Sequence, residues 1–217
     1  MYQFKIGDKY TKNDWGLLLA NFEIGEAEPK TNYIDIPGGD GSIDLTEALT
    51  GEISYGNRTI TATFTLIQSR AQWRAMMDAI RAYCHGRKFT ILVPNDDEYY
   101  YIGRANVGAL EINGSSASFE MTITCEPFKY RSELTVHDLT IGAGGTSTVT
   151  LINDRKRVVP TITVNNPTQV QKGAVSVSLS AGANVVTSLP MTQGENVLTF
   201  TAAAGTTIQV SYREGGL

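Results

Sequence analysis

The adjacent residues Cys84-His85 have the side-chain types of a nucleophile and its base, since an imidazole can activate a neighbouring thiol. Consecutive residues of a helix point about 100° apart, so these two side chains cannot meet within one helix. Cys84 also belongs to an apolar stripe, which predicts a buried thiol. His85 is expected at the helix end, where its cation would suit the helix dipole. The pattern therefore argues against a catalytic dyad of Cys84 and His85.

Two acidic clusters have the residue types of a calcium or glycosidase site. Oxygen ligands could come from Asp40-Gly41-Ser42-Ile43-Asp44 or from Asp96-Asp97-Glu98. Neither cluster has the spacing of an EF-hand loop, and both are typical of turns. A carboxylate pair for glycoside hydrolysis stays open, although no aromatic-rich cleft accompanies it. The glycines around residue 38 do not form G-x-G-x-x-G, the dinucleotide-binding motif. Taken together, these patterns predict no cofactor, no metal and no catalytic residue.

Charge and hydropathy exclude several classes of partner. The chain has 217 residues, a net charge of −4 and 41% apolar residues, and such a chain offers nucleic acid no basic surface. The one basic cluster, Arg155-Lys156-Arg157, is expected in a solvated turn or as an edge-strand guard. No apolar run near the start approaches the ~20 residues of a membrane span, and the first residues lack a secretion signal. We expect a chain folded in a cytoplasm, with Cys84 and Cys125 reduced and buried.

The elements that must position these residues are mostly strands in the first 130 residues. Thr59–Leu66 and Ser118–Cys125 alternate between apolar and polar residues, which predicts half-buried strands. One helix is predicted over about 70–85, with Ser69 and Gln72 as a reciprocal capping box and Gly86 as its stop. Its apolar stripe, at helical spacing, consists of Trp73, Met77, Ile80 and Cys84. We predict a sandwich-like or barrel-like β domain with one helix.

The composition changes near residue 131. Residues 1–130 hold 29 of the 40 charged side chains and 17 of the 19 aromatic ones. Residues 131–217 are rich in Thr, Ser, Val, Ala and Gly, and seven short alternating runs recur between turn-rich separators. This pattern predicts two domains, 1–130 and 131–217, the second an antiparallel β-sandwich. The chain as a whole is predicted to be mainly β.

Six short motifs, in order over residues 14–130, resemble those of siphophage distal tail proteins. Asp14-Trp15-Gly16-Leu17 is similar to that family's D-[FW]-G-L opening, and Pro37-Gly38-Gly39-Asp40-Gly41 begins a similar glycine-rich segment that ends at Asp44. Gly39 stands where many relatives carry a charged or polar residue. The remaining motifs are Tyr55-Gly56-Asn57-Arg58-Thr59-Ile60, the helix with Trp73 and its ending Cys84-His85-Gly86-Arg87, Tyr100-Tyr101-Ile102-Gly103-Arg104, and Cys125-Glu126-Pro127-Phe128-Lys129-Tyr130.

The resemblance implies a non-enzymatic hub at the tail tip of a phage or prophage, built in the host cytoplasm and carried in the virion. The first domain would form a ring, generally a hexamer, that continues the tail tube. The second, a galectin-like β-sandwich, would point outward toward a tail-associated lysin, baseplate or receptor-binding protein. A buried Arg58 would need a carboxylate or several carbonyl partners. The residues that the resemblance implies as structural are Asp14, Trp15, Gly16, Pro37, Gly38, Gly41, Asp44, Tyr55, Arg58, Trp73 and Gly86.

Two other functions stay open from the residues. The second domain could bind a host cell-wall saccharide, although it has no Trp and just two aromatic residues, Phe200 and Tyr212. The weaker alternative is a cell-wall hydrolase that would use Asp40, Asp44 and Glu98.

Overall fold

The computed structural model describes residues 2–48 and 51–217 and divides into two compact units. The first comprises Met1–Lys129 with Leu217, and the second comprises Tyr130–Gly216. Most described residues lie in antiparallel strands, with one α-helix in the described part of the chain. The predicted fold class, mainly β with a single helix, is confirmed.

The first unit is built on one twisted antiparallel sheet. Its strands run in the order β2-β1-β7-β8-β10-β6-β3, with β9 paired to β10, while β4 and β5 form a separate two-stranded sheet. β11 (Lys129–Arg131) contains the boundary with the second unit. The strand bounds are β1 Lys5–Ile6, β2 Lys9–Tyr10, β3 Leu17–Ile24, β4 Tyr33–Asp35, β5 Ser42–Asp44, β6 Arg58–Leu66, β7 Lys88–Leu92, β8 Tyr99–Val107, β9 Glu111–Asn113 and β10 Ser116–Cys125.

The α-helix, α1, covers Trp73–Cys84 and follows a 3-10 turn at Arg70–Gln72. The predicted capping box is wrong, because neither Ser69 nor Gln72 caps a backbone N–H with its side chain. The Ser69 hydroxyl instead donates to Gln72 Oε1 (2.9 Å), and the tighter 3-10 turn takes up the first three predicted helical residues. No helix in the described ranges is long and apolar enough to span a membrane.

One face of this sheet packs against α1 and forms the first core. The helix buries its predicted stripe, and β6 buries every second residue from Arg58 to Leu66 while its four threonines face outward. Each fully buried large apolar side chain contributes about 1.5–3 kcal/mol. The largest fully buried side chains of this core include Phe4, Phe64, Phe119, Ile60, Met77, Ile80 and Met121.

The second unit is a β-sandwich of two four-stranded antiparallel sheets, ordered β12-β19-β14-β17 and β13-β18-β15-β16. Its core is aliphatic apart from Phe200 and Tyr212. One strand, β15, lies in a segment for which no strand was predicted. The bounds are β12 Thr135–Thr140, β13 Thr146–Asn153, β14 Thr161–Val164, β15 Thr168–Lys172, β16 Val175–Leu179, β17 Gly182–Val185, β18 Gly194–Thr201, β19 Thr207–Tyr212 and β20 Gly215–Gly216.

Candidate interaction surfaces

The hairpin of β4 and β5, here called the arm (residues 31–48), is exposed on both faces. Ile34 pairs with Ile43 across the two strands, and Tyr33 pairs with Asp44. Ile34 and Ile43 are 51% and 52% exposed, and the neighbouring Ile36 is 41% exposed. An isolated two-stranded hairpin is marginally stable in water, and adjacent exposed isoleucines mark an interaction surface. The arm therefore has an apolar face that its own unit leaves uncovered.

The arm contains four of the residues implied by the resemblance. Pro37 and the two left-handed glycines Gly38 (φ +75°) and Gly41 (φ +77°) form its turn. Asp44 lies at its base, where Oδ1 accepts a hydrogen bond from the Thr46 backbone N–H (2.9 Å). Hydrogen bonding by Thr46, first through its side chain and then through its backbone, lowers the pKa of Asp44. This carboxylate therefore orders the base of the arm.

The motif Asp14-Trp15-Gly16 forms a corner at the start of β3. Asp14 Oδ2 accepts a hydrogen bond from the Tyr10 backbone N–H (2.7 Å). Trp15 is buried edge-on against Tyr83, with ring centres 5.5 Å apart. Gly16 has φ +58°, and its carbonyl accepts a hydrogen bond from the backbone N–H of Ile67 just beyond β6 (3.1 Å). The contacts of these three residues thus hold edge strand β3 beside β6.

Arg58 is buried, and neither of its two expected partners, a carboxylate or several carbonyls, contacts its guanidinium among the described residues. The side chain is 3% exposed, and its Nε and Nη2 have no hydrogen-bond partner. Its guanidinium carbon lies 5.6 Å from the centre of the Tyr101 ring, so a cation–π contact takes the place of an ion pair. Tyr55 lies apart from this contact, with its ring edge-on to Phe128 at 5.7 Å.

The two ends of α1 hold the remaining residues implied by the resemblance. Trp73 Nε1 donates to the Gln68 carbonyl (2.9 Å), and Gly86 has φ +74° while its N–H donates to the Ala105 carbonyl (2.8 Å). His85 Nδ1 accepts a hydrogen bond from the Val107 backbone N–H (3.2 Å). His85 is the capping residue that follows the last residue of α1, so its predicted position at the helix end is confirmed.

Both thiols are buried and free, as predicted from the sequence. Burial raises the pKa of Cys84 to about 12, and burial is also the first cause that raises the pKa of Cys125 to about 12. A thiol at such a pKa remains protonated at neutral pH and is a poor nucleophile.

The acidic and basic clusters of the sequence occupy turns. Asn95, in the β7–β8 turn beside Asp96-Asp97-Glu98, has φ +62°. In the basic triplet, the backbone N–H groups of Arg155 and Lys156 donate to the Gly215 carbonyl, and Lys156 Nζ lies 4.1 Å from the centre of the Tyr130 ring. Arg155 and Arg157 are exposed in this bend, in agreement with the predicted solvated turn, whereas Lys156 is half-buried. The described residues hold no group of three or more His, Cys, Asp or Glu placed to bind a metal.

The second unit has an open groove of about 590 Å³ over β12, β19 and β14, lined by both polar and aliphatic side chains. Gln209 Nε2 donates to Asp138 Oδ1 (2.9 Å), and Asn165 Oδ1 accepts from the Thr207 N–H (2.9 Å). Its other lining residues are aliphatic or hydroxyl-bearing, so no aromatic ring is available to stack on a sugar. They are Leu139, Thr140, Thr163, Val164 and Ile208.

The apolar face of the arm was missed from the sequence. Its signal is present in the alternation Tyr33-Ile34-Asp35-Ile36, followed after the glycine turn by Ile43. The same alternation would predict a half-buried strand, and only the exposure of both faces distinguishes an arm from a core strand.

Comparison with known proteins places these features in a known architecture. No protein-family model matches the sequence, and no curated protein matches it. Among solved structures, the chain is similar to SPP1 Dit (gp 19.1), described as a paradigm of the hub adsorption apparatus in phages that infect Gram-positive bacteria. The two sequences are 14% identical, the match covers 98% of this chain and 99% of that chain, and the TM-score is 0.71. The chain thus has the fold of a siphophage distal tail hub protein, which confirms the resemblance at the level of fold.

Proposed function

We propose that the chain is a structural, non-enzymatic hub of a phage tail tip. It would assemble into a homo-oligomeric ring, of six copies, that links the tail tube to the baseplate or receptor-binding apparatus of the virion. The observation that carries this proposal is the likeness to SPP1 Dit over both units, with 98% of the chain covered. A likeness confined to one unit could reflect a common β-module, whereas the same succession of two units is specific to an architecture.

The arm supports self-association independently of that likeness. Its exposed isoleucines (Ile34, Ile36 and Ile43) form one contiguous face on a hairpin that has no partner sheet. These side chains are already about half covered, so burying the exposed part of each would contribute about 0.7–1.5 kcal/mol. A hairpin that contacts a different patch on the next copy makes a head-to-tail interface, and such an interface forms a ring when the rotation between copies closes.

The proposed partners follow from the two units. We assign the ring, and with it the contact to the tail tube protein, to the first unit, because the arm belongs to it. The second unit would carry the tail-associated lysin or receptor-binding protein on its weakly charged sheet faces.

The ring is tested by native mass spectrometry and negative-stain imaging of the purified full chain across a range of concentrations. We expect a closed assembly at six times the subunit mass of 23.6 kDa. A chain that stays monomeric at all concentrations, and that also fails to enter tails when mixed with tail tubes, would refute the proposal.

The second candidate function is saccharide binding by the second unit. The open groove over β12, β19 and β14 is the observation that favours it. Titration of the full chain with host wall polymer tests this candidate, with Asp138→Ala as the matched variant. Micromolar binding that the variant loses would establish a saccharide site in the groove. We expect no such binding, since the groove lining lacks an aromatic ring.

A further inference from the structure

The second unit has one edge strand without the features that usually protect an edge. β13 ends the sheet β13-β18-β15-β16, and edge strands of soluble proteins are usually short, bulged or charged. β13 has eight residues and pairs with β18 without a register shift. It contains neither a charged residue nor a proline. Such an edge is a template on which a further strand can pair.

The other edge strands are shorter or carry protective features. β12 contains Asp138, β17 has four residues and begins at Gly182 (φ +108°), and β16 has five residues. In the first unit, edge strand β3 has a register shift and contains Glu23. Among the described strands, β13 is therefore the longest regular edge without charge.

The hydrogen-bond ladder between β13 and β18 determines which backbone groups of β13 are free. Just before β13, the Gly145 carbonyl accepts a hydrogen bond from the Ala202 N–H (3.0 Å). This pair continues the register of the two strands, and pairs with and without hydrogen bonds alternate along an antiparallel ladder. The residues that bond to β18 are therefore Ser147, Val149 and Leu151. The residues that direct their N–H and C=O groups to the open side are Thr146, Thr148 and Thr150.

The open stretch of this edge ends at Ile152. The Ile152 carbonyl also points away from β18, but it accepts a hydrogen bond from the Tyr212 hydroxyl (2.6 Å). No second strand pairs with β13 in the described part of the chain. The backbone groups of the three threonines are therefore available to a further strand.

The side chains around the open stretch favour an occupant without charge. The three threonines are exposed on the outer face of the sheet, and Thr148 Oγ1 lies 3.2 Å from Thr199 Oγ1 on β18. On the core face, Val149 is partly exposed at the edge. The one charged side chain on the outer face is Glu195, which lies opposite Ile152, beyond the open stretch. A charged residue of an occupant would lose water here without gaining an opposite charge.

We infer that the open edge of β13 receives an extended, uncharged segment of a partner protein, which adds a fifth strand to this four-stranded sheet. That the partner is another protein of the tail tip rests on the proposed function. The occupant is a polypeptide strand because donors and acceptors presented at every second residue match the backbone of an extended chain. Its residues on the core side should be apolar and cover Val149, and those on the outer side should be neutral and polar.

A second copy of the chain is a different occupant from this partner. Antiparallel pairing of two β13 edges would be an isologous contact with two-fold symmetry. Such a contact is no part of a head-to-tail ring, and it would double the mass of whatever assembly the chain forms. We therefore assign the edge to a segment of different sequence.

A peptide with the sequence of Asn196–Thr201, the uncharged part of β18, tests the edge in the full-length protein. It directs Leu198 and Phe200 to one side and polar residues to the other, and this sequence already pairs with β13. We expect the fluorescently labelled peptide to bind saturably, measured by anisotropy. The same peptide with Thr199→Pro should bind about tenfold more weakly or worse, because proline cannot donate to a ladder.

Thr148→Pro is the matched variant of the protein. It removes an N–H that points to the open side and leaves the ladder with β18 intact, which is where an edge strand tolerates proline. We expect peptide binding to weaken about tenfold or more. Thr148→Val keeps the backbone and should bind as the wild type does. If Thr148→Pro lowers the midpoint of the circular-dichroism transition in urea, Thr150→Pro repeats the test at the next open position.

Native mass spectrometry of the same variants separates this inference from the proposed ring. Thr148→Pro should assemble like the wild type, since the ring is assigned to the first unit. The inference is overturned if the two peptides bind equally, if both proline variants of the protein bind like the wild type, or if Thr148→Val also loses binding. It is overturned as well if Thr148→Pro halves the mass of the assembly, because the occupant would then be a second copy. A monomeric wild type that binds the peptide would remove the ring and support the edge site.

Discussion

Two glycines of the tail-protein motifs have left-handed backbones for different reasons. Gly16 has φ +58°, and a Cβ there would lie 2.3 Å from Gln68 Nε2. That amide donates a 2.5 Å hydrogen bond to the Trp15 carbonyl. Gly38 has φ +75°, but a Cβ there would meet nothing within 4 Å. Gly16 is thus required by backbone conformation and close packing, and Gly38 by backbone conformation alone.

Replacing these glycines by alanine should separate the two effects. A left-handed non-glycine residue costs roughly 1–2 kcal/mol, and displacing Gln68 would cost about 1 kcal/mol more through its lost hydrogen bond. We expect Gly16→Ala to lower the free energy of unfolding by about 2–3 kcal/mol and Gly38→Ala by about 1–2 kcal/mol, measured by urea denaturation. Equal losses in the two variants would contradict the packing argument.

The two thiols give a pH-dependent prediction. Four pH units below a pKa of about 12, roughly one thiol in ten thousand is a thiolate, so we expect neither Cys84 nor Cys125 to react with a thiol reagent at pH 8 until urea is added. Folding raises these pKa values, and the native state therefore disfavours the thiolate. Stability should fall as the pH rises from about 9 toward 12. Rapid labelling of the native protein at pH 8 would refute the burial.

Elements with an unbroken apolar period were predictable from the sequence. Two strands were missed, β3 because its period is broken and β15 because Val170 is its one apolar residue. The alternation of β6 and β10 and the stripe of α1 predicted both their positions and their buried faces. Edge strand β3 was missed because its register shifts between Leu19 and Asn21, and a bulge removes the period of two. In β15, the turn signal Asn165-Asn166-Pro167 directly precedes a strand that alternates Thr, Gln and Val.

We expect the arm to stabilise the assembly of copies and not the fold of its own unit. Since Ile34 and Ile43 are exposed, Ile34→Asp with Ile43→Asp should leave the free energy of unfolding within about 0.5 kcal/mol of the wild type. The same variant should weaken self-association by a hundredfold or more, because each copy would bring two carboxylates into the contact. Analytical ultracentrifugation measures the association.

The matched control for the arm variant is Val185→Asp, an exposed apolar strand residue of the second unit (68% exposed). It should leave self-association unchanged. If the arm variant instead unfolds the first unit, or if both variants assemble normally, the arm is not an association element.

At the scale of the whole molecule, the composition step near residue 131 corresponds to two separate cores. Every member of the first core lies at or before Cys125, and every member of the second lies at or after Ile141. The aromatic-rich first core lies between a sheet and one face of α1, whereas the second core fills a β-sandwich with mostly aliphatic side chains.

Separate cores predict separate unfolding transitions, and the tryptophans make them distinguishable. Both tryptophans, Trp15 and Trp73, are buried in the first core, so tryptophan fluorescence reports the first unit alone, while circular dichroism reports the strands of both. Leu198 is fully buried in the second core, and Leu198→Ala should cost about 2–5 kcal/mol there. We expect it to lower the midpoint of a circular-dichroism transition in urea while the fluorescence transition keeps its midpoint.

Met77→Ala is the reciprocal variant, because Met77 is buried against the sheet of the first core. It should lower the midpoint of the fluorescence transition and leave the midpoint of the circular-dichroism transition of the second unit unchanged. If either variant shifted the fluorescence and circular-dichroism midpoints equally, the two units would unfold in one cooperative transition.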